Sequence, residues 1–351
     1  MAERLVVLAP NWLGDAVMAL PAIADVRRRF PDAHLAVAAR ASIADLFRFV
    51  PGLDAVVTLE AGAGAVGHAK ALAGGLFDTA ILLPNAFRAA WLAWRAGVTN
   101  RWGYRADGRG LLLTRGVTKP ESGCHQSAYY QQLTRALGIE SGPGEPCLDV
   151  PPPVRAAALD RLTSQGYDGA SPVVVIAPGA AYGTAKQWTP AHVATLITRM
   201  IAAPATTPAT TTAGRPWCVL VGSRGDMDTG RTILAALSAA LPGATATRVI
   251  DLVGQTTIEM LMGVLSAADV CVSNDSGAMH MAAAAGTRVV GLFGPTDERQ
   301  TSPIARPGSR AVVLTHPVWC RPCMLRECPI DHSCMTGITP DLVVEQVRSM
   351  M

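Results

Sequence analysis

The sequence predicts an α/β protein made of two doubly wound domains, each built on a parallel sheet. Short β-branched runs alternate with longer helical patterns in both halves, which is the rhythm of βαβ units. The chain has 351 residues, more than one core usually serves at about 150 residues per domain. A triple proline at residues 151–153 interrupts this pattern and is expected to form a hinge between the domains. We therefore expect domains at residues 1–153 and 154–351, with the option that the last helix packs back on the first domain.

Four strands are predicted in the first half, at residues 5–9, 35–39, 55–59 and 79–83. The first of them leads through the loop PNWLGD into a helical pattern over residues 16–28. A strand, a loop and a helix in this order favour phosphate binding at the helix N-terminus. Asp15 stands at that point, where its carboxylate would repel a phosphate. It either caps the helix or acts on a different chemical group.

The second half repeats the pattern after the triple proline. A helix is predicted at residues 154–165, and strands are predicted at residues 172–177, 217–221, 270–273 and 289–293. Between them, residues 202–214 read AAPATTPATTTAG, a stretch of low complexity. We expect a surface loop there and assign it no function.

Composition and charge narrow the class of protein. With 50% hydrophobic and 16% charged residues, the chain is typical of compact α/β proteins. No apolar run reaches the roughly 18 residues of a membrane span, and residues 5–9 are too few for a signal-peptide core. We expect a cytoplasmic protein, with peripheral attachment to the inner face of the cytoplasmic membrane as a further option. Residues 86–135 hold eight basic and two acidic residues, which favours an anionic partner.

The sharpest pattern follows the strand at residues 270–273. It presents Asp275, Ser276 and Gly277, and one helical turn later His280. A hydroxyl, backbone N–H groups and an imidazole at the carboxyl edge of a sheet suit a diphosphate. The alternative is a capped helix start with a close-packed glycine.

Two further loops follow neighbouring strands. One contains Gly183, Thr184 and Lys186, and the other offers Asp226 to ribose hydroxyls. Each is weak evidence alone, because a lone surface lysine is usually only solvated. Three such loops at successive strand ends predict one nucleotide pocket. Since GxxxxGK[ST] does not occur and the first loop, after residues 5–9, lacks GxGxxG, an ATPase or a dinucleotide oxidoreductase is disfavoured and a nucleotide sugar is the expected ligand.

Four segments together resemble one family. They read PNWLGDAVMALPA, ILLPNAFRAAW, GAAYGTAKQW and VSNDSGAMHMAAAAGTRVVGLFGPTD. The chain resembles the ADP-heptose:lipopolysaccharide heptosyltransferases of glycosyltransferase family 9 over nearly its whole length, and it is most similar to the heptosyltransferase II type. The resemblance implies a GT-B fold, in which two Rossmann-like domains face each other. The N-terminal domain would bind the acceptor, and the C-terminal domain would bind ADP-heptose.

The resemblance also implies a reaction, the inverting transfer of L-glycero-D-manno-heptose to a heptose of the lipopolysaccharide inner core. Asp15 matches the catalytic carboxylate of the family, Lys186 matches its donor-phosphate lysine, and the stretch from Asp275 to His280 matches its donor loop. Asp15 would then accept the proton of the attacking hydroxyl across the cleft from the diphosphate. Lys186 and the helix N-terminus would stabilise the leaving ADP.

The implied partners are ADP-heptose and a lipopolysaccharide inner-core acceptor at the inner membrane surface. No nucleic acid is expected as a partner, and no cofactor or metal is expected for the chemistry. For the acceptor we select polar residues of the basic stretch, which are Asn85, Arg88, Arg101 and Arg105. Arginines bind carboxylates and phosphates bidentately, while the interleaved aromatics Trp91, Trp94, Trp102 and Tyr104 can pack on sugar rings. The alternative is ordinary solvated arginines and core tryptophans.

Cysteines raise one other possibility. Four of the eight follow the pattern Cys320-x₂-Cys323-x₄-Cys328-x₅-Cys334, which raises zinc or an iron–sulfur cluster. The irregular spacing, and a family whose chemistry does not depend on metal, favour a thiol-rich surface loop instead. The remaining four are expected to be isolated interior residues, namely Cys124, Cys147, Cys218 and Cys271.

Two other functions stay open at this point. One is heptosyltransferase I or III, acting on a different inner-core acceptor. The other is a nucleotide-binding module without catalysis. Asp15 argues against the second, because a protein that only binds ADP gains nothing from a carboxylate near the phosphates.

Overall fold

The computed structural model describes residues 3–121, 123–202, 215–240 and 248–351. The chain forms two compact units, Met1–Asp149 and Val150–Met351. The boundary lies just before the triple proline rather than after it, because Pro152 and Pro153 form the first turn of a helix. Proline suits that position, since the first N–H groups of a helix have no intrahelical acceptor. Residues 203–214 of the predicted surface loop lie outside the described residues.

The first unit is built on a parallel six-stranded sheet. Its strands, in chain order, are β1 (Arg4–Leu8), β2 (His34–Arg40), β3 (Ala55–Leu59), β4 (Thr79–Leu82), β5 (Asn100–Tyr104) and β6 (Arg115–Val117). They lie in the order β3-β2-β1-β4-β5-β6. The four predicted strands are confirmed. The sequence analysis missed β5 and β6, whose sequences NRWGY and RGV carry neither alternation nor an apolar run.

Helices cover this sheet. They are α1 (Leu13–Met18), α2 (Leu20–Arg29), α3 (Ala41–Ala44), α4 (Gly64–Ala73), α5 (Phe87–Arg95) and α6 (Gln126–Ala136). The single helix predicted at residues 16–28 is two helices, α1 and α2, separated at Ala19. Pro21 lies at the start of α2 and has no N–H to continue the hydrogen-bond ladder of α1.

The second unit repeats this architecture. Its strands are β7 (Val173–Ala177), β8 (Trp217–Gly222), β9 (Val249–Val253), β10 (Val270–Asn274), β11 (Arg288–Phe293) and β12 (Ala311–Thr315). They lie in the order β12-β11-β10-β7-β8-β9. The four predicted strands are confirmed, and the two that were missed, β9 and β12, are the edge strands. Central strands such as β7 and β10 are buried along their whole length, as expected for a parallel sheet covered on both faces.

Its helices are α7 (Pro152–Thr163), α8 (Pro190–Ala202), α9 (Met227–Ala240), α10 (Ile258–Ala267), α11 (Gly277–Ala285), α12 (Glu298–Thr301), α13 (Ser333–Thr336) and α14 (Pro340–Met350). The last helix packs against α8. It buries Val343, Val347 and Met350 in the core of the second unit. Within the part of the chain that the structure describes, no helix has both the length and the hydropathy of a membrane span.

Both sheets have a point where the strand order reverses. In the first unit it lies between β1 and β4, and in the second it lies between β7 and β10. Open α/β sheets bind ligands beyond the carboxyl ends of the strands at such a point. The loops after these four strands lead to Asp15, Asn85, Lys186 and Asp275. The topology therefore brings the predicted residues to the two crevices where ligands are expected.

Asp78 fixes the start of the central strand β1. Its Oδ2 accepts the backbone N–H groups of Glu3 and Arg4, both at 2.8 Å, and its Oδ1 accepts the Thr79 hydroxyl at 2.5 Å. Burial alone would raise the pKa of Asp78, but these hydrogen bonds outweigh it and lower the pKa below the ordinary value of 3.8. The charged carboxylate is therefore the form that the fold stabilises.

We expect Asp78→Asn to lower the free energy of unfolding by about 1 kcal/mol or more at neutral pH, because hydrogen bonds to a charged acceptor are lost. A folded pKa below the unfolded one gives stability that is present above the unfolded pKa and lost as pH falls through the folded pKa. The difference between parent and variant should therefore shrink below about pH 4 in urea unfolding. Asp45→Asn is the control, since its pair with Arg48 is exposed. An equal loss in both variants would contradict the assignment.

Candidate functional site

Asn274 joins the two loops at the reversal point of the second sheet. This buried residue ends β10. Its Nδ2 donates to the carbonyl oxygens of Pro178 at 2.6 Å and Gly179 at 3.4 Å, and its Oδ1 accepts the N–H of Trp188 at 3.1 Å. The two ends of the loop after β7 are thus fixed to the end of β10.

Lys186 and Asp275 are brought together by this arrangement. The lysine Nζ lies 2.6 Å from Asp275 Oδ2, and the Thr296 hydroxyl donates to the same oxygen at 2.8 Å. The lysine side chain is 13% exposed and the aspartate 6%, so the pair is largely shielded from water. Lys186 also lies over the Tyr182 ring, 4.9 Å from its centroid. Asp275 is therefore an ion-pair partner of Lys186 rather than a helix cap, and an ammonium with three N–H donors can bind a second anion.

The N-terminus of α11 lies directly after this pair. Ser276 is the N-cap residue, and its side chain makes no capping hydrogen bond. Its hydroxyl instead pairs with the Ser273 hydroxyl at 2.9 Å. The N–H groups of the first turn, from Gly277 onward, thus keep their partial positive charge for an anion. His280 lies one turn further along and is buried.

Asp226, predicted for ribose, belongs to the loop after β8. Its Oδ2 accepts the N–H of Ser223 at 2.8 Å and the hydroxyl of Ser223 at 2.6 Å, which closes a short capping box. A Cβ placed on Gly179 would stand 2.3 Å from Cγ of Asp226. A side chain on residue 179 would therefore displace the Asp226 carboxylate from its present position.

Residues 320–334, here called the cysteine segment, pack on the Lys186 loop. The Ala185 N–H donates to the Arg326 carbonyl at 2.9 Å, and Nε2 of His332 donates to the Ala185 carbonyl at 2.7 Å. A Cβ on Gly183 would stand 2.3 Å from the Arg326 carbonyl oxygen. Glycine at position 183 thus allows the two backbones to approach closely. Thr184 is exposed. The sequence analysis did not connect these two segments.

The four thiols of the cysteine segment are free, and only Cys334 is buried. Burial raises the pKa of the Cys334 thiol, and the neighbouring Cys328, Cys320 and Cys323 raise it further. Among the residues that the structure describes, no group of three or more His, Cys, Asp or Glu side chains is arranged to hold a metal ion.

The other four cysteines are also thiols rather than members of a disulfide. Cys218 and Cys271 are fully buried in β8 and β10, as predicted, and burial raises the pKa of each thiol to about 12. The prediction of interior positions is wrong for Cys124 and Cys147, which are half-buried. Both lie in irregular segments of the first unit, outside the sheet.

In the first unit, Asp15 lies inside the first turn of α1. Trp12 is the N-cap residue, so the alternative that Asp15 merely caps a helix starting at residue 16 is wrong. Burial, and then the charge of Asp15, raise the pKa of the Tyr130 hydroxyl in α6. Asp15 itself is half-buried. A carboxylate here is stabilised as an anion by the helix N-terminus and keeps access to solvent.

Asn85 and Arg109 hold two buried atoms without a hydrogen-bond partner among the described residues, Asn85 Oδ1 and Arg109 Nη2. The Asn85 Nδ2 donates to the Tyr129 hydroxyl at 2.7 Å. Arg109 is fully buried and donates to the carbonyls of Tyr104 and Pro84, and burial lowers its pKa. The sequence analysis counted Arg109 only as part of the basic stretch. Arg109 thereby links the ends of β4 and β5 through its hydrogen bonds to the Pro84 and Tyr104 carbonyls.

The three predicted acceptor arginines occupy different surroundings. Arg101 lies near the start of β5, away from its carboxyl end, and donates to the carbonyls of Leu112, Val98 and Thr99. Arg88 is exposed and contacts His68 Nδ1 at 3.0 Å. Arg105 is exposed just beyond the end of β5. Asn85, Arg88 and Arg105 thus follow the carboxyl ends of adjacent strands, whereas the Arg101 guanidinium stabilises the β5 region itself.

The aromatic residues of the basic stretch divide in the same way. Tyr104 is buried, and its hydroxyl donates to the Tyr129 carbonyl at 3.0 Å. Trp102 is half-buried between Phe30 and the Arg115 guanidinium. Trp91 is half-buried against the core, while Trp94 is exposed.

Comparison with known proteins gives a consistent result. The family model described as glycosyltransferase family 9 (heptosyltransferase) matches residues 65–333. The lipopolysaccharide heptosyltransferase 2 of Escherichia coli K12 is 28% identical over 99% of this chain and 98% of its own length. The lipooligosaccharide heptosyltransferase 2 of Haemophilus influenzae is 27% identical over 86% of each chain.

A solved structure extends the agreement to the fold. The structure of the E. coli ADP-heptose lipopolysaccharide heptosyltransferase II has a TM-score of 0.81 and 26% identity, covering 99% of this chain and 98% of that one. Together with the two parallel six-stranded sheets, this match confirms the predicted GT-B fold.

Proposed function

Because this chain belongs to glycosyltransferase family 9, the heptosyltransferases, we propose that it transfers L-glycero-D-manno-heptose from ADP-heptose to a heptose of the lipopolysaccharide inner core. The observation that carries the proposal is the Lys186–Asp275 pair beside the N-terminus of α11. The remaining N–H donors of Lys186 and the N–H groups of that helix end converge at the reversal point of the second sheet, where a nucleotide diphosphate is expected. The reaction would take place in the cytoplasm, at the inner surface of the membrane.

In this proposal the second unit binds the donor. Lys186 and the N–H groups that begin with Gly277 hold the diphosphate, with Gly183, Thr184, Ser276 and Asp226 around the nucleotide. Asp275 neutralises part of the lysine charge and fixes its position, helped by the Thr296 hydroxyl. As the bond from the anomeric carbon to the diphosphate breaks, the electron pair leaves with ADP. The preorganised positive groups then stabilise the growing charge.

Asp15 acts as the general base. An acceptor hydroxyl gives its proton to the carboxylate while its oxygen bonds to the anomeric carbon. Direct attack on the side opposite to the leaving ADP inverts the anomeric configuration in one step. The half-buried position of Asp15 in the first turn of α1 supports this role, because a base needs both a path to substrate and a stable charged form.

The acceptor is held beyond β4 and β5. Asn85, Arg88 and Arg105 bind its carboxylates and phosphates, and Arg101 holds the β5 region from behind. The exposed guanidiniums of Arg88 and Arg105 beyond these strands support an anionic acceptor here. No role for a metal is included, and the thiols of the cysteine segment take no part.

The relatives favour heptosyltransferase 2 activity over the alternatives, because the relatives from E. coli, Salmonella typhimurium and H. influenzae all carry that name. The deciding experiment incubates the purified protein with ADP-heptose and a set of truncated inner-core acceptors. Mass spectrometry should find one added heptose on the acceptor that ends in a single inner-core heptose. Transfer only to an acceptor without heptose would favour heptosyltransferase I, and no transfer to any acceptor would favour a binding module.

In the same assay, we expect Asp15→Asn to lower turnover by at least about 10², the contribution of a general base. ADP affinity should stay unchanged, and stability should fall by no more than about 1 kcal/mol, the limit for a charge near an exposed helix N-terminus. Glu259→Gln is the matched control, because Glu259 also lies in the first turn of a helix, α10. Turnover within about tenfold of the parent would remove Asp15 from the proposed base role.

We expect Lys186→Ala to lower the turnover number by about 10² or more, since the charge it stabilises grows in the transition state. Lys186→Arg should recover part of the rate, and the melting temperature of each variant controls for loss of the ion pair with Asp275. A raised donor KM with an unchanged turnover number would show that Lys186 binds ground state and transition state equally, against the proposal.

Arg105→Ala should raise the acceptor KM and reduce its dependence on salt, because an exposed charge attracts anions less strongly as salt increases. The donor KM should not change. Arg101→Ala is unsuitable for this test, since it removes three hydrogen bonds to backbone carbonyls. Arg48→Ala, another exposed arginine of the first unit, is the control. Acceptor kinetics equal to those of the parent at low and high salt would place the acceptor elsewhere.

A further inference from the structure

Helix α5 carries an exposed face of unusual chemistry. Phe87, Trp91 and Trp94 are spaced four and three residues apart and therefore form one stripe along the helix. Phe87 is 47% exposed and Trp94 is 50% exposed, while Trp91 packs partly on the core. The opposite side is buried through Ala89, Ala90, Leu92 and Ala93. The helix is thus anchored in the first unit and presents aromatic rings outward.

Positive charge lies beside this stripe. Arg88 and Arg95 are seven residues apart, so they form a second row next to the aromatic one, and both are exposed. The sequence of α5, FRAAWLAWR, contains no acidic residue. The surrounding stretch, residues 86–135, holds eight basic and two acidic residues. An anionic surface is therefore the electrostatic complement of this helix.

A further exposed apolar side chain, that of Leu111, lies beside the helix. The short turn Arg109–Leu112 contacts α5, and Leu112 packs on the same core cluster as Trp91. Its neighbour Leu111 is 98% exposed, with no packing that would explain an apolar side chain there. We define the α5 face as Phe87, Trp91, Trp94, Arg95 and Leu111.

We propose that the α5 face docks the first unit on an anionic lipid bilayer. Tryptophan prefers the interface between lipid and water, a protruding leucine can insert among acyl chains, and arginines bind anionic headgroups. The inference rests on the proposed function in one respect: an acceptor carried on a membrane lipid brings the acceptor-binding unit to the bilayer. Other exposed apolar residues fit such a surface less well. Trp319, which is 88% exposed, precedes the cysteine segment, in which Glu327 and Asp331 balance the charges of Arg321 and Arg326.

The test is co-flotation of the full chain with vesicles of phosphatidylcholine alone or of phosphatidylcholine and phosphatidylglycerol in equal parts. The parent should bind the anionic vesicles, and binding should weaken with added salt. Trp94→Ser with Leu111→Ser should weaken binding about tenfold or more through lost apolar burial. Arg95→Gln should weaken it about fivefold, on anionic vesicles only.

Matched controls are available for each change. Trp319→Ser and Leu76→Ser replace side chains that are equally apolar and more than half exposed, and Arg48→Gln replaces an exposed arginine. These variants should bind like the parent. Failure of the parent to bind anionic vesicles, or equal losses in the controls, would overturn the proposal.

Heptose transfer to a lipid-free core oligosaccharide separates the docking proposal from the proposed function. The variants Leu111→Ser and Arg95→Gln should act on this soluble acceptor at the parent rate. An equal loss on the soluble acceptor would assign the α5 face to sugar binding and overturn docking. If the parent binds vesicles but transfers no heptose, docking is supported and the proposed function is refuted. If the parent transfers heptose but does not bind vesicles, the proposed function is supported and docking is refuted.

Discussion

The hydrogen bonds of one buried amide, that of Asn274, hold the second unit's site in place. The side chain contacts both ends of the loop after β7, at Pro178 and at Trp188. This link fixes the two ends of the loop relative to β10, and the middle of the loop then places Lys186 Nζ 2.6 Å from Asp275. A buried amide that uses both its donor and its acceptor is specific, because a slipped loop leaves polar atoms unpaired. The ammonium therefore reaches this site because the loop is held in position, and not only because residue 186 is a lysine.

The four strands at the centres of the two sheets could be predicted from sequence because burial on both faces requires largely apolar side chains. The central strands β1, β4, β7 and β10 are almost wholly buried and read as continuous apolar runs. In contrast, β5 is NRWGY and is paired through its backbone to β4 and β6. Its identity as a strand comes from its neighbours, through tertiary contacts that override local propensity. The break between α1 and α2 was readable in principle, because Pro21 removes an N–H from the ladder.

The candidate site shows the same division. Single residues could be selected from sequence because glycine, lysine and carboxylate at strand ends have recognisable chemistry. Their partners could not, since Lys186 and Asp275 are 89 residues apart in the chain. The sequence alone does not distinguish Arg101 and Arg109 from the other basic residues of the stretch. Only the structure shows that both guanidiniums are directed at backbone carbonyls, and that one nitrogen of Arg109 is left over.

The contact between Gly183 and the Arg326 carbonyl has a consequence for protein engineering. The two backbones approach so closely that a single methyl group at position 183 would collide, and Ala185 is bonded to both Arg326 and His332. The Lys186 loop and the cysteine segment thus form one structural unit, although they are distant in the sequence. A chimera that takes only one of the two segments from another enzyme would bring together surfaces that do not pack complementarily. Such exchanges should move both segments together.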